Sequence, residues 1–418
     1  MPNYIIEGGK RLEGEVVVSG SKNASLPIMA AAILNEGTTK LYNIPKIRDT
    51  RITQDILKFL GCKVKRGNDK IEIQAKNIHR KEIPEDLMHQ MRSTVILAGA
   101  LLGRFKEAKF SYPGGCDIGA RPIDLHLESF KKLGINITEE GGFIVCKCDK
   151  IIGAKIDLDF PSVGATENII LASVYAEGVT KITNAAMEPE IVDLADCLNK
   201  MGAKIEGAGT NVIKITGVKR LKDISYTVMP DRIEAGTLLC MIASTGGKAK
   251  LKQVVPEHIS PVLNKLRECG CKIAEAKNEI EIEAPKKLKP VDIKTMPYPG
   301  FPTDMQSVFA SMLATAKGTS MIIENIFENR YRYIPELRRM GAKAVIEGKT
   351  AVITGVRKLS GTTVKSTDLR GGAALVTAGL CAKGKTKVTD IEYILRGYEK
   401  LEEKLTSLGA IIYKEEGE

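Results

Sequence analysis

Three groups of residues in this sequence have types and spacing suited to chemistry. The first is Ser19-Gly20-Ser21-Lys22-Asn23-Ala24-Ser25-Leu26-Pro27. Its small residues let a backbone approach a ligand, and Pro27 fits a first helical turn. Lys22 and Asn23 then stand near a helix N-terminus, where unpaired amides attract an anion. The alternative is a lysine in an ordinary surface loop. The second group is Pro113-Gly114-Gly115-Cys116-Asp117-Ile118-Gly119-Ala120-Arg121-Pro122, one thiol among three glycines. A thiol exposed beside cations can have its acidity tuned, whereas a buried thiol is a small hydrophobe. The buried reading suits Cys240 and Cys381, in alanine-rich stretches, and suits Cys116 less well. The third group is a set of arginines, Arg92, Arg232, Arg330, Arg370 and Arg396, at comparable places along the chain. Arginine grips phosphate or carboxylate with two parallel hydrogen bonds. Singly each reads as a solvated side chain; their common placement points to an anion site. Asp304, in Gly300-Phe301-Pro302-Thr303-Asp304-Met305, reads equally as a helix N-cap or as a general base.

Other chemistry is disfavoured. No G-x-x-x-x-G-K-[ST] loop leads from a strand into a helix (the match from Gly379 to Thr386 runs out of a helical stretch and enters a strand), and no G-x-G-x-x-G opens a helix, so nucleotide-driven phosphoryl transfer and hydride transfer lack their signatures. Cys146-Lys147-Cys148 and Cys269-Gly270-Cys271 have no matching pairs at zinc spacing, and His79, His89, His126 and His258 form no motif. With no Trp and 5% aromatic residues, a stacking platform for nucleic acid is poor. The net charge of +11 favours anionic partners without naming them. No apolar run approaches the roughly 18 residues of a membrane span. Met1-Pro2-Asn3-Tyr4 lacks the basic-then-apolar pattern of a secretory signal. The nine cysteines are scattered, so reduced thiols in a cytoplasmic protein are expected.

The elements that must position these groups repeat. Leu or Phe, two residues, then Leu, Met or Cys and Gly recurs six times, ending at Gly61, Gly134, Gly202, Gly270, Gly341 and Gly409; the spacings are 73, 68, 68, 71 and 68 residues. Apolar residues at i and i+3 predict a helix, the glycine a left-handed terminus, and the β-branched run after it a strand. In five copies a second glycine stands 23 to 25 residues earlier (Gly37, Gly178, Gly247, Gly318, Gly384) and leads into an alternating strand. The second copy departs, with Arg104 to Phe110 in that place. An alanine-rich helix precedes this strand. The predicted unit is strand, helix, strand, helix, strand, strand, an α/β fold. Six copies imply two domains of three. The best boundary is Val228-Met229-Pro230-Asp231, where proline breaks the pattern. A cleft between two such domains would be a natural ligand site.

Taken together, these motifs make the chain resemble the enolpyruvyl transferases from end to end. The segments that carry the resemblance are Gly20-Ser21-Lys22-Asn23-Ala24, Pro113 through Leu125, Pro161-Ser162-Val163-Gly164-Ala165-Thr166-Glu167-Asn168 and Pro230-Asp231-Arg232-Ile233-Glu234. Phe301-Pro302-Thr303-Asp304-Met305-Gln306, Phe327-Glu328-Asn329-Arg330, Thr367-Asp368-Leu369-Arg370 and Arg396-Gly397-Tyr398-Glu399 complete the set. The fold implied is an inside-out α/β barrel of two similar domains, each of three βαβαββ repeats, around a deep interdomain cleft. Residues 22–229 would form one domain; 1–21 with 230–418 would form the other. The reaction implied moves the enolpyruvyl group of phosphoenolpyruvate to the 3′-hydroxyl of UDP-N-acetylglucosamine and releases phosphate, the first committed step of peptidoglycan synthesis. Cys116 would be the acid facing the methylene carbon, on a loop that closes over the site. Asp304 would take the hydroxyl proton. Lys22, Arg121 and Arg396 would hold the phosphate, Arg330 and Arg370 the carboxylate, and Asn23 the sugar hydroxyl or the intermediate. The sugar nucleotide would meet Arg92, Arg121, Pro122, Ile123, Asp124, Leu125, Ser162, Val163, Gly164 and the Ile326 backbone. Phe160 is a departure: some relatives carry lysine there, which puts a charge contact to the diphosphate in doubt. No metal and no organic cofactor is expected, since side chains supply the cations. No nucleic acid or membrane partner is expected, and the chain would be a monomer or weak homo-oligomer. Two alternatives are an enolpyruvyl transferase acting on shikimate 3-phosphate (3-phosphoshikimate 1-carboxyvinyltransferase) and a non-enzymatic polyanion or RNA binder.

Overall fold

A computed structural model describes residues 2–112 and 123–416. Cys116, Arg121 and Pro122 lie outside the described residues. The six repeat glycines all adopt left-handed backbone, from φ +85° at Gly134 to +112° at Gly61. Each ends a helix where an L side chain would be strained, and returns the chain into a strand. The predicted helix-to-strand punctuation is therefore present in every copy.

Among the described residues there are six sheets, five of four strands and one of three. The smaller one belongs to the second copy, whose expected first strand is reduced to a single bridge between Glu82 and Lys109. Its next strand is Glu107–Ser111, and Arg104 falls in the helix before it, later than the sequence pattern placed the strand. Lys106 ends that helix in left-handed backbone at φ +63°, taking the place of the missing glycine. The sixth copy lacks a final strand of its own, and the chain's first strand, Asn3–Glu7, supplies it by pairing with Lys385–Thr389 and Ile411–Glu415. Two further strands are exchanged: Glu13–Val17 pairs in parallel with Lys248–Lys252, and Ile224–Thr227 with Thr38–Tyr42.

The described residues form two compact units, one of residues 2–19 and 230–416, the other of 20–112 and 123–229. In each, helices and not strands make the innermost layer. In the first unit they are Arg232–Ser244, Gln306–Leu313 and Leu369–Cys381; in the second, Lys22–Ala31, Ile96–Phe105 and Val163–Ser173. These helices are apolar or small on every side and are buried almost throughout, as a helix with no polar face must be. Small residues let them approach closely. A Cβ on Gly99 would lie 2.4 Å from Asn168 Oδ1 on the neighbouring helix. The outer helices, such as Arg48–Leu60, are amphipathic. The sheets alternate buried and exposed residues, one face on the helices and one in water.

Candidate active site

Because the inner helices are buried along their length, their ends are what they offer to solvent. In the unit of residues 20–112 and 123–229, Ser21 caps the helix Lys22–Ala31, its Oγ accepting the Ala24 amide at 3.2 Å. Lys22 is the first helical residue. Pro27 is therefore the sixth, not part of a first turn, and it lacks the N–H that would close the i to i+4 bond on the Asn23 carbonyl. Lys22 Nζ lies 3.1 Å from Oδ2 of Asp49, whose side chain is fully buried. The expected loop lysine is thus held by a carboxylate in the first turn of Arg48–Leu60. Asn23 beside it is half-buried.

The helix Val163–Ser173 begins in the same way: Ser162 Oγ accepts the Ala165 amide at 3.3 Å. Its first turn, with Val163 and Gly164, is half-exposed, and an α-helix N-terminus favours an anion. Gly164 packs on His126; a Cβ there would lie 3.1 Å from its Cε1. The histidine, unassigned from sequence, is buried on the helix Asp124–Lys132, with Ile123 buried and Asp124 exposed at its start and Leu125 half-buried beside it. Asn168 Nδ2 donates to His126 Nδ1 at 2.7 Å and to the Val95 carbonyl at 3.1 Å. An accepting Nδ1 leaves the proton on Nε2, so the ring is neutral. Burial, and then the charge of half-buried Arg92, push its pKa down to about 4. His126 therefore fixes the turn Ser162-Val163-Gly164 as a packed, uncharged wedge. Phe160, just ahead, is exposed.

In the unit of residues 2–19 and 230–416, three of the expected residues meet in one cluster. Asp304 Oδ1 accepts from Arg330 Nη2 at 2.7 Å, and Oδ2 from Arg370 Nη2 at 2.9 Å and Nε at 3.2 Å. The arginine side chains are only 2% and 4% exposed; the carboxylate is 25% exposed. Asp304 makes no capping hydrogen bond, so of its two sequence readings the N-cap is set aside. Asp368 is the residue that caps, accepting the amides of Arg370 and Gly371 and so aiming the Arg370 guanidinium. Arg370 lies 5.3 Å from the centre of the Tyr398 ring, and Arg330 lies 5.4 Å from that of Phe327. Tyr398 is buried, its hydroxyl 2.9 Å from Thr237 Oγ1.

Glu324, which the sequence patterns passed over, ties this cluster together. It accepts the hydroxyls of Thr295 and Thr303 at 2.8 and 2.9 Å and the amide of Ile326 at 2.8 Å. One buried carboxylate thereby fixes the turn that carries Asp304 and the loop that carries Ile326 and Arg330. Arg232 opens the helix Arg232–Ser244 behind the Asp231 cap and stacks 5.5 Å from the Tyr298 ring centre. Arg396 ends a short 3-10 turn and is half-buried. Among the described residues no group of three or more His, Cys, Asp or Glu is arranged to hold a metal.

Residues 6–405 match the family of EPSP synthase (3-phosphoshikimate 1-carboxyvinyltransferase). The chain is 51% identical over 413 residues to the UDP-N-acetylglucosamine 1-carboxyvinyltransferase 1 of Caldanaerobacter subterraneus subsp. tengcongensis, with 98% of this chain and 99% of that one covered. It is 50% identical over 414 residues to the UDP-N-acetylglucosamine 1-carboxyvinyltransferase 2 of Carboxydothermus hydrogenoformans, with 99% of each covered. The enolpyruvyl transferase NikO from Streptomyces tendae superposes with a TM-score of 0.89 at 25% identity, over 99% of this chain and 98% of that one. EPSP synthase from Acinetobacter baumannii superposes with 0.78 at 18% identity over 100% of both and shares the fold.

Proposed function

From the premise that the chain belongs to the EPSP synthase family of 1-carboxyvinyl transferases, we infer that it transfers the enolpyruvyl group of phosphoenolpyruvate to the 3′-hydroxyl of UDP-N-acetylglucosamine. The observation that carries this choice of acceptor is the likeness, at about half identity and full length, to enzymes named for UDP-N-acetylglucosamine. The likeness to EPSP synthase structures is 18% and 19%. The product commits the sugar nucleotide to peptidoglycan.

The chemistry is an addition followed by an elimination. A proton joins C3 of phosphoenolpyruvate as the sugar oxygen attacks C2 and gives up its own proton, which yields a tetrahedral ketal. Loss of a proton from C3 and of the phosphate from C2 then restores the double bond on the sugar. In our reading Cys116 supplies the first proton. A thiol with an ordinary pKa of about 8.5 stays protonated at neutral pH until it is called on. Asp304 takes the hydroxyl proton. Lys22, Arg121 and Arg396 carry the phosphate, and Arg330 and Arg370 the carboxylate. Asn23 carries the sugar hydroxyl. Ile123, Asp124, Leu125 and the helix start at Ser162-Val163-Gly164, with Arg92, Arg121 and Pro122, serve the nucleotide. The clustered arginines support the assignment of an anionic substrate, because two desolvated guanidiniums share the single charge of Asp304 and keep a positive excess for a carboxylate or phosphate. Both substrates are polyanions, and the cations needed are present as side chains, so we propose a reaction without metal or organic cofactor.

The deciding measurement is phosphate release from phosphoenolpyruvate with each acceptor in turn. Release with UDP-N-acetylglucosamine is expected; release with shikimate 3-phosphate alone would overturn the reading. Cys116→Ser is expected to slow turnover sharply and spare sugar-nucleotide binding, and a near-normal rate would remove the thiol from the acid role.

A further inference from the structure

In the unit of residues 2–19 and 230–416, Arg232, Asp304 and Arg370 all stand at the N-terminal ends of the inner helices. A separate concavity of about 140 Å³ opens at the C-terminal ends of the same helices. The chain at those ends contributes Ser244, Thr315 and Cys381, each three residues ahead of the second glycine of its copy, Gly247, Gly318 or Gly384. Two dibasic turns, Lys286-Lys287-Leu288 and Arg357-Lys358-Leu359, contribute four exposed cations over buried leucine anchors. No acidic residue lines the concavity. None of the four cations has a carboxylate within ion-pair distance among the described residues. The strand lysines of the same unit are different: Lys248, Lys250 and Lys252 each pair with a glutamate.

The other unit shows why the space exists. There the residue three ahead of Gly178 is Tyr175, whose hydroxyl donates to the Leu34 carbonyl at 2.7 Å and accepts the Leu221 amide at 3.2 Å. The residue three ahead of Gly37 is Leu34 itself. Arg104 then donates to the Ile33 and Ala75 carbonyls at 2.8 and 2.7 Å. A phenol, a leucine and a guanidinium thus fill and satisfy those helix ends. Cys381 and Ser244 stand at the matching positions here; each donates to a carbonyl three residues back, Ala378 at 3.3 Å and Met241 at 2.8 Å, but both are too small to fill the space.

Cations near helix C-termini often only complement the negative end of the dipole. Lys287 does bond to a carbonyl, that of Arg357 at 3.2 Å. Lys286, Arg357 and Lys358 bond to no carbonyl among the described residues, so whatever they gain from the dipole, their donors stay open to a ligand. We propose that this concavity is a binding site for a small oxyanion carrying two or more charges, of the phosphate or phosphate-ester class, separate from the groups assigned to the reaction. The guanidinium of Arg357 offers a planar fork, the lysines point charges, and the Thr315 hydroxyl a neutral donor.

The test is calorimetric titration of the full chain with inorganic pyrophosphate at fixed ionic strength. Two classes of site are expected in the natural protein, one of them the substrate-anion site. In the Lys286→Ala/Arg357→Ala double variant one class weakens by about tenfold or more. Cys381→Tyr abolishes the same class without any change of charge, by restoring the ring of the other unit. Ser244→Leu, which restores the leucine, serves if the tyrosine variant does not fold. All three are expected to release phosphate from the substrates at the unaltered rate. A single class of site in the natural protein overturns the proposal. So does a second class that survives filling of the cavity, because binding lost only with the charges is diffuse screening.

Discussion

Replacing Asp304 by asparagine removes one charge and almost no volume, and the surrounding geometry sets the consequence. Two guanidiniums, 2% and 4% exposed, lose the carboxylate that faces them. Removing one partner of a buried pair costs about 3–5 kcal/mol. Asp304 is 25% exposed, so water screens part of the loss, and about 2–3 kcal/mol is the better expectation. At about 2–4 °C per kcal/mol for units of this size, the melting temperature should fall by about 4–12 °C. If Arg330 and Arg370 hold the substrate carboxylate, as we propose, phosphoenolpyruvate competes with Asp304 for them in the natural protein. In Asp304→Asn nothing competes, and the ligand returns the missing charge. Phosphoenolpyruvate should therefore raise the melting temperature more in the variant than in the natural protein, approaching about 2.7 kcal/mol at a hundredfold excess over Kd. Turnover should nevertheless fall by about 10²–10⁴, the contribution of a positioned base. Differential scanning fluorimetry with and without phosphoenolpyruvate, beside phosphate release, reads all three quantities. A variant with unchanged melting temperature and a smaller ligand shift would refute the competition, and unchanged turnover would refute the base.

Asp49 acts through Lys22, and Asp49→Asn should raise KM for phosphoenolpyruvate by about tenfold while KM for UDP-N-acetylglucosamine holds. Asp49→Glu should recover part of the loss; equal changes in both KM values would make Asp49 merely structural. His126 has a folded pKa of about 4, below its ordinary 6.5, so the unfolded chain binds the extra proton between these values. Its contribution to stability is complete above pH 6.5 and is lost as pH falls toward 4, up to about 3 kcal/mol. Urea unfolding at pH 7 and pH 4.5 should show a smaller acid loss in His126→Gln than in the natural protein, and parallel losses would contradict it.

The repeat was legible because it is written in local rules. A glycine that must turn left-handed, a helix face at i and i+3, and a strand alternating by two each leave a mark within a few residues. Strand exchange leaves none. Glu13–Val17 pairs with Lys248–Lys252 more than 200 positions away, and nothing in either segment names its partner. The missing first strand of the second copy was equally hidden, because a single bridge needs no alternation. Within the candidate site, the sequence marked the arginines and Asp304 but not the carboxylates that hold such groups in place. Asp49 sits in a first helical turn and Glu324 after an alternating strand, where acidic residues usually face water. Their burial comes from packing between distant segments. His126 was passed over for the same reason: it needs Asn168, 42 positions on, before it has a role.

What could be read and what could not share one physical cause. A helix buried on all sides has no polar face, so it can take part in chemistry only at its ends. N-terminal ends carry unpaired amides, and here they are capped by Ser21, Ser162, Asp231 and Asp368. The residue next to the cap, or one further on, then stands at the open end of the helix: Lys22 and Val163 half-exposed, Arg232 and Arg370 buried. A cap and its neighbours are contiguous in sequence, so this half of the site declares itself as a motif at each strand-to-helix junction. The counter-charges come from whichever outer helix or loop packs across that end, and their sequence distance is arbitrary. Apolar contacts between copies can therefore stay interchangeable while each junction carries a different charge, which is how one repeated frame offers a lysine in one place, an arginine pair in another and a neutral helix start in a third.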